Sequence, residues 1–185
     1  MRYLQHPQLL GSSRRERLVA ALESEGPLRA SSASLGHTGN GNVEQLAPGP
    51  GYVSAELSMI RELVASMSYQ ATATAFALPD PSRLAPQVFP VWMRGSIDEP
   101  ASQRPHVDNL NGKRPLLTSV YYARIRNADG GQIVLGAEPD RLVLQPDEDD
   151  LVAFPGDTVH AVSDLRGGDR LSIVCNFYLA GDKRG

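Results

Sequence analysis

From residue 71 onward the chain is a succession of short apolar runs, rich in β-branched and aromatic residues and each closed by a turn signal. ATATAFAL, QVFPVWM, LLTSVYYARI, QIVL, RLVLQ, DLVAF, VHAVS and LSIVCNFYL predict about eight strands. LPDP, NADGG, GAEPD, QPDEDD, FPGD and LRGGD separate them. Upstream, the apolar period is helical. Leu18, Val19 and Leu22 share a face behind a capping-box spacing, Ser13 to Glu16, and Gly26-Pro27 stops that helix. Leu57, Ile60, Leu63, Val64 and Met67 mark a second helix, with Ser54 as N-cap. Between the two, residues 31–51 (SSASLGHTGNGNVEQLAPGPG) are crowded with Gly, Ser, Asn and Pro and predict a long loop, either a lid or a plain linker.

Two helices followed by eight closely spaced strands predict a mainly β protein with flanking helices. The architecture that suits eight strands is a double-stranded β-helix (jelly roll, cupin-like), with the N-terminal helices packed on one face. At 185 residues one domain, 1–185, is expected, with a helical part over 1–70 and a jelly-roll core over 71–180.

Charge and cysteine content narrow the partners. A formal net charge of -3 gives no reason to expect a polyanion, so nucleic acid is excluded as the main ligand. The single cysteine, Cys175, sits in an apolar run and reads as a small buried hydrophobe. No run of about 18 apolar residues exists and the N-terminus lacks a leader-like stretch, so a cytoplasmic protein without a membrane segment is expected.

Candidate chemistry begins in QRPHVDNLNG, where His106 and Asp108 stand two apart. On a strand such residues project from the same face and offer an imidazole and a carboxylate to one small volume. His160 lies further on, between turn signals. Two histidines and one carboxylate on one side of a metal form the facial triad of non-heme Fe(II) oxygenases, which leaves coordination positions open. Arg170 follows ten residues after His160, and its planar fork suits a carboxylate-bearing co-substrate, although a surface pair with Asp169 or Asp164 is the competing reading. Ser172 shares its face and adds a hydroxyl.

Other residues carry weaker signals. Trp92 and Arg94 flank Met93 on one strand and can face either a pocket mouth or the core. Arg114 is either an anion-binding group or a solvated loop residue, and His37 reaches a site only if its loop closes. His6 has no partner in view. The acidic run 147–150 lacks calcium-loop spacing and reads as a solvated turn. GHTGNG is without the strand–helix context of a dinucleotide site.

The stretch from about 87 to 179 resembles the Fe(II)/2-oxoglutarate-dependent dioxygenases, most closely the prolyl-4-hydroxylase-like branch, through HVDNLNG, TSVYYA, GGQIVL, FPGDTVHAV and GGDRLSIV in that order. The resemblance implies that His106, Asp108 and His160 ligate Fe(II) and that Arg170 and Tyr122 hold the far carboxylate of 2-oxoglutarate, with Ser172 beside them. It implies O2 as oxidant, release of succinate and CO2, and hydroxylation of an unactivated carbon. The substrate would be a small molecule, such as an amino acid or natural-product intermediate, or a prolyl residue in a peptide. Halogenases of this family replace the carboxylate with a small residue, so Asp108 favours hydroxylation. Met93 stands where the hydroxylases commonly carry a tyrosine, a departure expected to bear on the substrate side. The alternative is a cupin-type metal-binding module that serves as an isomerase, sugar binder or sensor and needs neither Arg170 nor Tyr122.

Overall fold

A computed structural model describes residues 2–24, 33–34, 39–40, 42–45 and 55–181. Eleven strands are joined in one curled antiparallel sheet: β1 (Leu4–His6), β2 (Ala33–Ser34), β3 (Gly39–Asn40), β4 (Asn42–Gln45), β5 (Leu84–Arg94), β6 (Ala101–His106), β7 (Leu117–Gly130), β8 (Ile133–Leu135), β9 (Leu142–Leu144), β10 (Leu151–Pro155) and β11 (His160–Leu179). Two helices, α1 (Ser12–Ser24) and α2 (Ala55–Phe76), flank it. This is the predicted jelly roll.

The long β11 makes the fold by serving both layers. Its first residues pair with β6 and β8, and its remainder, from Asp169 to Leu179, runs between β5 and β7. Register shifts around Val162 and Leu165 bend the strand between the two tasks, which is how one strand turns a corner. VHAVS and LSIVCNFYL, expected as two strands, are therefore one bent strand.

Alternation sorts the larger layer into two faces. Leu171, Ile173, Cys175 and Phe177 point outward and pack with Leu18, Leu22, Ile60 and Val64 of the helices. Arg170, Ser172, Val174 and Asn176 point inward and line a cavity. Pro86 and Pro90 are tolerated within β5 because β4 covers only Val91–Arg94, leaving that edge without a donor to satisfy.

Several expectations need correction. ATATAFAL is not a strand but the end of α2, which continues to Phe76 and shortens the sheet-forming region at its start. Ile60, Val64, Ser68 and Thr72 repeat every four residues and are all buried, and the Thr72 hydroxyl donates to the Ser68 carbonyl at 2.7 Å. Burial of that stripe outweighs the β preference of its threonines. The helix closes with bonds from Leu78 N to Ala73 O and from Ala77 N to Thr74 O, with Ala77 in the left-handed region at φ 52°.

The capping box is replaced as well. Helix α1 begins at Ser12, and the N–H groups of Leu10 and Gly11 donate to the Asp149 carboxylate at 2.9 and 2.7 Å. The acidic run 147–150 is accordingly no solvated turn. Asp149 and Asp150 are buried, Glu148 pairs with Arg15 at 2.5 Å, and Asp150 accepts from the Gln5 amide at 2.7 Å. The long-loop expectation for 31–51 changes too, since β2, β3 and β4 fall inside it. The lid reading and His37 lie outside the described residues.

Candidate active site

Two strand ends supply the histidines. His106 closes β6, His160 opens β11, and the two are directly opposite each other in the pairing register. Their rings lie 4.3 Å apart between centroids. Asp108 is not on the strand with His106, as alternation suggested, but just past its end. There its carboxylate sits between the imidazoles, Oδ1 at 3.7 Å from His106 Nε2 and Oδ2 at 3.8 Å from His160 Nε2. All three ligand atoms lie within 4.8 Å of one another.

The imidazoles are preset for coordination. Each Nδ1 faces a backbone carbonyl, that of Arg104 at 2.7 Å for His106 and that of Thr158 at 3.1 Å for His160. An Nδ1–H held in this way leaves the Nε2 lone pair free and aimed at Asp108, the arrangement that metal-ligating histidines use. Burial lowers the His160 pKa, the Asp108 charge opposes that shift and His106 adds to it. The neutral ligand form is thereby favoured. Thr118 donates to Asp108 Oδ2 at 3.2 Å and orients the carboxylate. Chemically, two nitrogens and one carboxylate gathered on one side suit a divalent first-row metal.

The cavity beside this cluster, about 300 Å³, runs between the layers. At one end lies Arg170, fully buried, its Nη1 donating to the Gly131 carbonyl at 2.5 Å. That carbonyl is turned inward by the Gly130-Gly131 pair, both in the left-handed region, and a Cβ on Gly130 would meet the Asp164 carbonyl at 2.0 Å. No carboxylate pairs with Arg170 among the described residues, so the surface-pair reading with Asp169 or Asp164 fails. Asp169 instead accepts from Arg124, which also pairs with Glu23.

Tyr122 lies beneath the guanidinium, ring centroid to guanidinium carbon 5.3 Å. Burial pushes its phenol up to about 12 and Arg170 works against that shift, so the hydroxyl stays a neutral donor. Arg170 Nε and the Tyr122 hydroxyl are buried without a hydrogen-bond partner. Unspent donors on a buried cation cost stability unless a ligand takes them, and an anionic oxygen is the group that fits. Ser172 lines the same end, its hydroxyl 3.5 Å from the Val91 carbonyl.

The weaker candidates separate clearly. Met93 is fully buried with its sulfur 3.2 Å from Arg170 Nη2, which places it beside the arginine. Trp92 faces the helices, with the guanidiniums of Arg94 and Arg124 about its ring. Arg94 donates to Asn42 at 3.2 Å. Arg114 and His6 are exposed, and neither lines the cavity. Sequence reasoning missed Thr118, Gln87 and Asn176, which do line it. Inward parity on their strands was the signal available.

No protein-family model matches the chain, and no curated protein does either. Solved structures do. A prolyl-4-hydroxylase from Pseudomonas putida superposes with a TM-score of 0.67 at 18% identity, covering 97% of this chain and 93% of that one. The chain has the fold of the prolyl hydroxylases and 2-oxoglutarate/Fe(II) oxygenases. A prolyl hydroxylase from Trichoplax adhaerens, solved with a hypoxia inducible factor peptide fragment, gives 0.64 at 19% identity over 95% of this chain and 83% of that one. HygX from Streptomyces hygroscopicus, solved with nickel and 2-oxoglutarate, gives 0.65 at 13% identity over 97% and 83%. No described helix is long and apolar enough to cross a membrane.

Proposed function

We propose that the protein is an Fe(II)- and 2-oxoglutarate-dependent dioxygenase that hydroxylates an unactivated carbon, with release of succinate and CO2. The observation that carries this reading is a pairing of two features in one cavity. A His106–Asp108–His160 cluster of metal-ligand spacing shares it with a buried, uncompensated Arg170 and its unspent Tyr122 hydroxyl. A cupin-type metal module accounts for the first feature and leaves the second without a purpose.

In this reading His106, Asp108 and His160 hold the iron, which supplies dioxygen activation when bound. Arg170 and Tyr122 fix the far carboxylate of 2-oxoglutarate, the guanidinium by charge and the phenol by donating its O–H. Ser172 adds a hydroxyl at the same end. Thr118 keeps Asp108 turned towards the histidines, and the Arg104 and Thr158 carbonyls, each facing an Nδ1, fix both rings with Nε2 turned to the site. Phe89, Val120 and Val174 form the apolar middle of the cavity and exclude water there.

Among proteins of this fold, one was solved with a peptide and HygX also with hygromycin B, so both a prolyl peptide and a small molecule belong to the proposed substrate range. Keeping iron ferrous is easiest in a reducing compartment, and we place the protein in the cytoplasm.

The test needs no substrate. Apo-protein is given Fe(II) and then 2-oxoglutarate without oxygen, and visible absorption is followed for the weak charge-transfer band of a chelated keto acid. The band should form in wild type and vanish in His160→Ala. Iron binding with no band would return the reading to a cupin-type module.

A further inference from the structure

The inner face of the larger layer is graded along its length. At the Arg170 end it is charged. Its middle is the apolar band of Phe89, Val174 and Val120. At the opposite end the register puts Gln87 of β5, Asn176 of β11 and Thr118 of β7 side by side across three strands, all facing the cavity. Thr118 bonds the Asp108 carboxylate, so this row adjoins the metal-ligand cluster.

Asn176 is the unusual member. Its side chain is 2% exposed, and its Oδ1 accepts no hydrogen bond. Tyr178, two residues on and on the same face, is also buried with an unpartnered hydroxyl. Burial and the Asp108 charge raise the Tyr178 pKa and the Asn176 amide works against that shift, yet no hydrogen bond of normal geometry joins the two side chains. A buried amide with an idle acceptor is costly, and this one opens on the cavity and not on the core.

We propose that Asn176, with Gln87 beside it, is the substrate-specificity determinant and takes a neutral amide. The amide N–H donates to Asn176 Oδ1, and the amide carbonyl is left to the side-chain N–H groups of the row. The inference rests on the oxygenase reading given above and names the substrate class of that site. Its chemistry follows from charge. Gln87, Asn176 and Thr118 carry none, so a substrate carboxylate would lie uncompensated close to Asp108. A peptide bond and a primary carboxamide of a small molecule share the recognised group.

The experiment uses full-length protein with Fe(II) and 2-oxoglutarate, and matched probes: N-acetyl amino acids, their C-terminal amides, and short capped peptides. Binding is read without oxygen as a perturbation of the charge-transfer band, and turnover with oxygen as probe-dependent succinate release. Wild type should favour amides over the matched acids by about tenfold or more, the scale of one well-placed hydrogen bond. Asn176→Leu should reduce that preference to within about twofold while the band with 2-oxoglutarate alone persists. Stronger binding of capped peptides than of amidated single residues would assign the amide to a polypeptide, and the reverse to a small molecule.

A second readout involves no turnover. Asn176→Leu should raise the melting temperature of the apo-protein by roughly 2–4 °C, because it replaces an unsatisfied buried amide by an apolar side chain of similar size. Gln87→Leu should show a smaller loss of the same preference and serves if Asn176→Leu does not fold. Equal use of acids and amides by wild type, failure of every amide to bind, or a preference that neither variant moves overturns the inference. Failure of the band in wild type overturns the oxygenase reading instead.

Discussion

The guanidinium of Arg170 stands 5.3 Å above the ring centroid of Tyr122, and each residue keeps a buried donor with nothing to receive it. Removing either should weaken a bound dicarboxylate and leave the fold intact. Arg170→Met should raise the 2-oxoglutarate concentration for half-maximal charge-transfer absorption by about 100-fold, and Tyr122→Phe by about tenfold. Anaerobic titration of each variant measures this. The apo-protein melting temperature should not fall in Arg170→Met, since a buried charge without a counter-ion is removed.

Thr118 bonds Asp108, the only carboxylate in the cluster, and in the proposed site acts on the iron through it. Thr118→Val keeps the shape of the side chain and deletes the donor. Iron affinity should drop by roughly tenfold, as for other outer partners of metal ligands. Competition with a chromophoric chelator gives the value, and Thr118→Ser should restore most of it.

His160 should make the apo-protein acid-sensitive. Its folded pKa lies below the ordinary 6.5, with burial as the main cause. Between the two values the unfolded state binds more protons, so stability rises with pH across that window and is fully present above 6.5. Denaturant midpoints of metal-free protein should decline as pH falls below 6.5. His160→Gln should flatten that part of the curve, and an unchanged slope would point to another group.

Asp149 ties the helical layer to the sheet. It accepts from Leu10 N and, at 2.8 Å, the Tyr121 hydroxyl in a buried setting, and from Gly11 N at its edge. Asp149→Ala leaves two buried donors without an acceptor and should cost about 3 kcal/mol. Urea unfolding monitored by circular dichroism reads that loss, while the charge-transfer band of folded protein should stay in place.

Much of the site was legible because its chemistry depends on residue type and order. His106, Asp108, His160 and Arg170 stand out in a chain with four histidines, and strand alternation correctly sends Arg170 and Ser172 to one face. The jelly roll was legible from short apolar runs between turn signals. The rest turned on neighbours distant in sequence. ATATAFAL carries a strand pattern, and only burial of the α2 stripe that includes Ser68 and Thr72 makes it helical. The run 147–150 looks solvated until Leu10, Gly11 and Arg15 are brought against it from the other end of the chain.

The sequence by itself determined which groups can hold a metal and an anion, and the β period that builds two layers around them. Tertiary structure alone decided which donors and acceptors end up buried without a partner. Whether Arg170 has a counter-charge, whether Asn176 Oδ1 has a donor and which side chain Met93 stands against are set by strand register across the sheet. Register is a property of paired strands, and local sequence carries no record of what lies opposite.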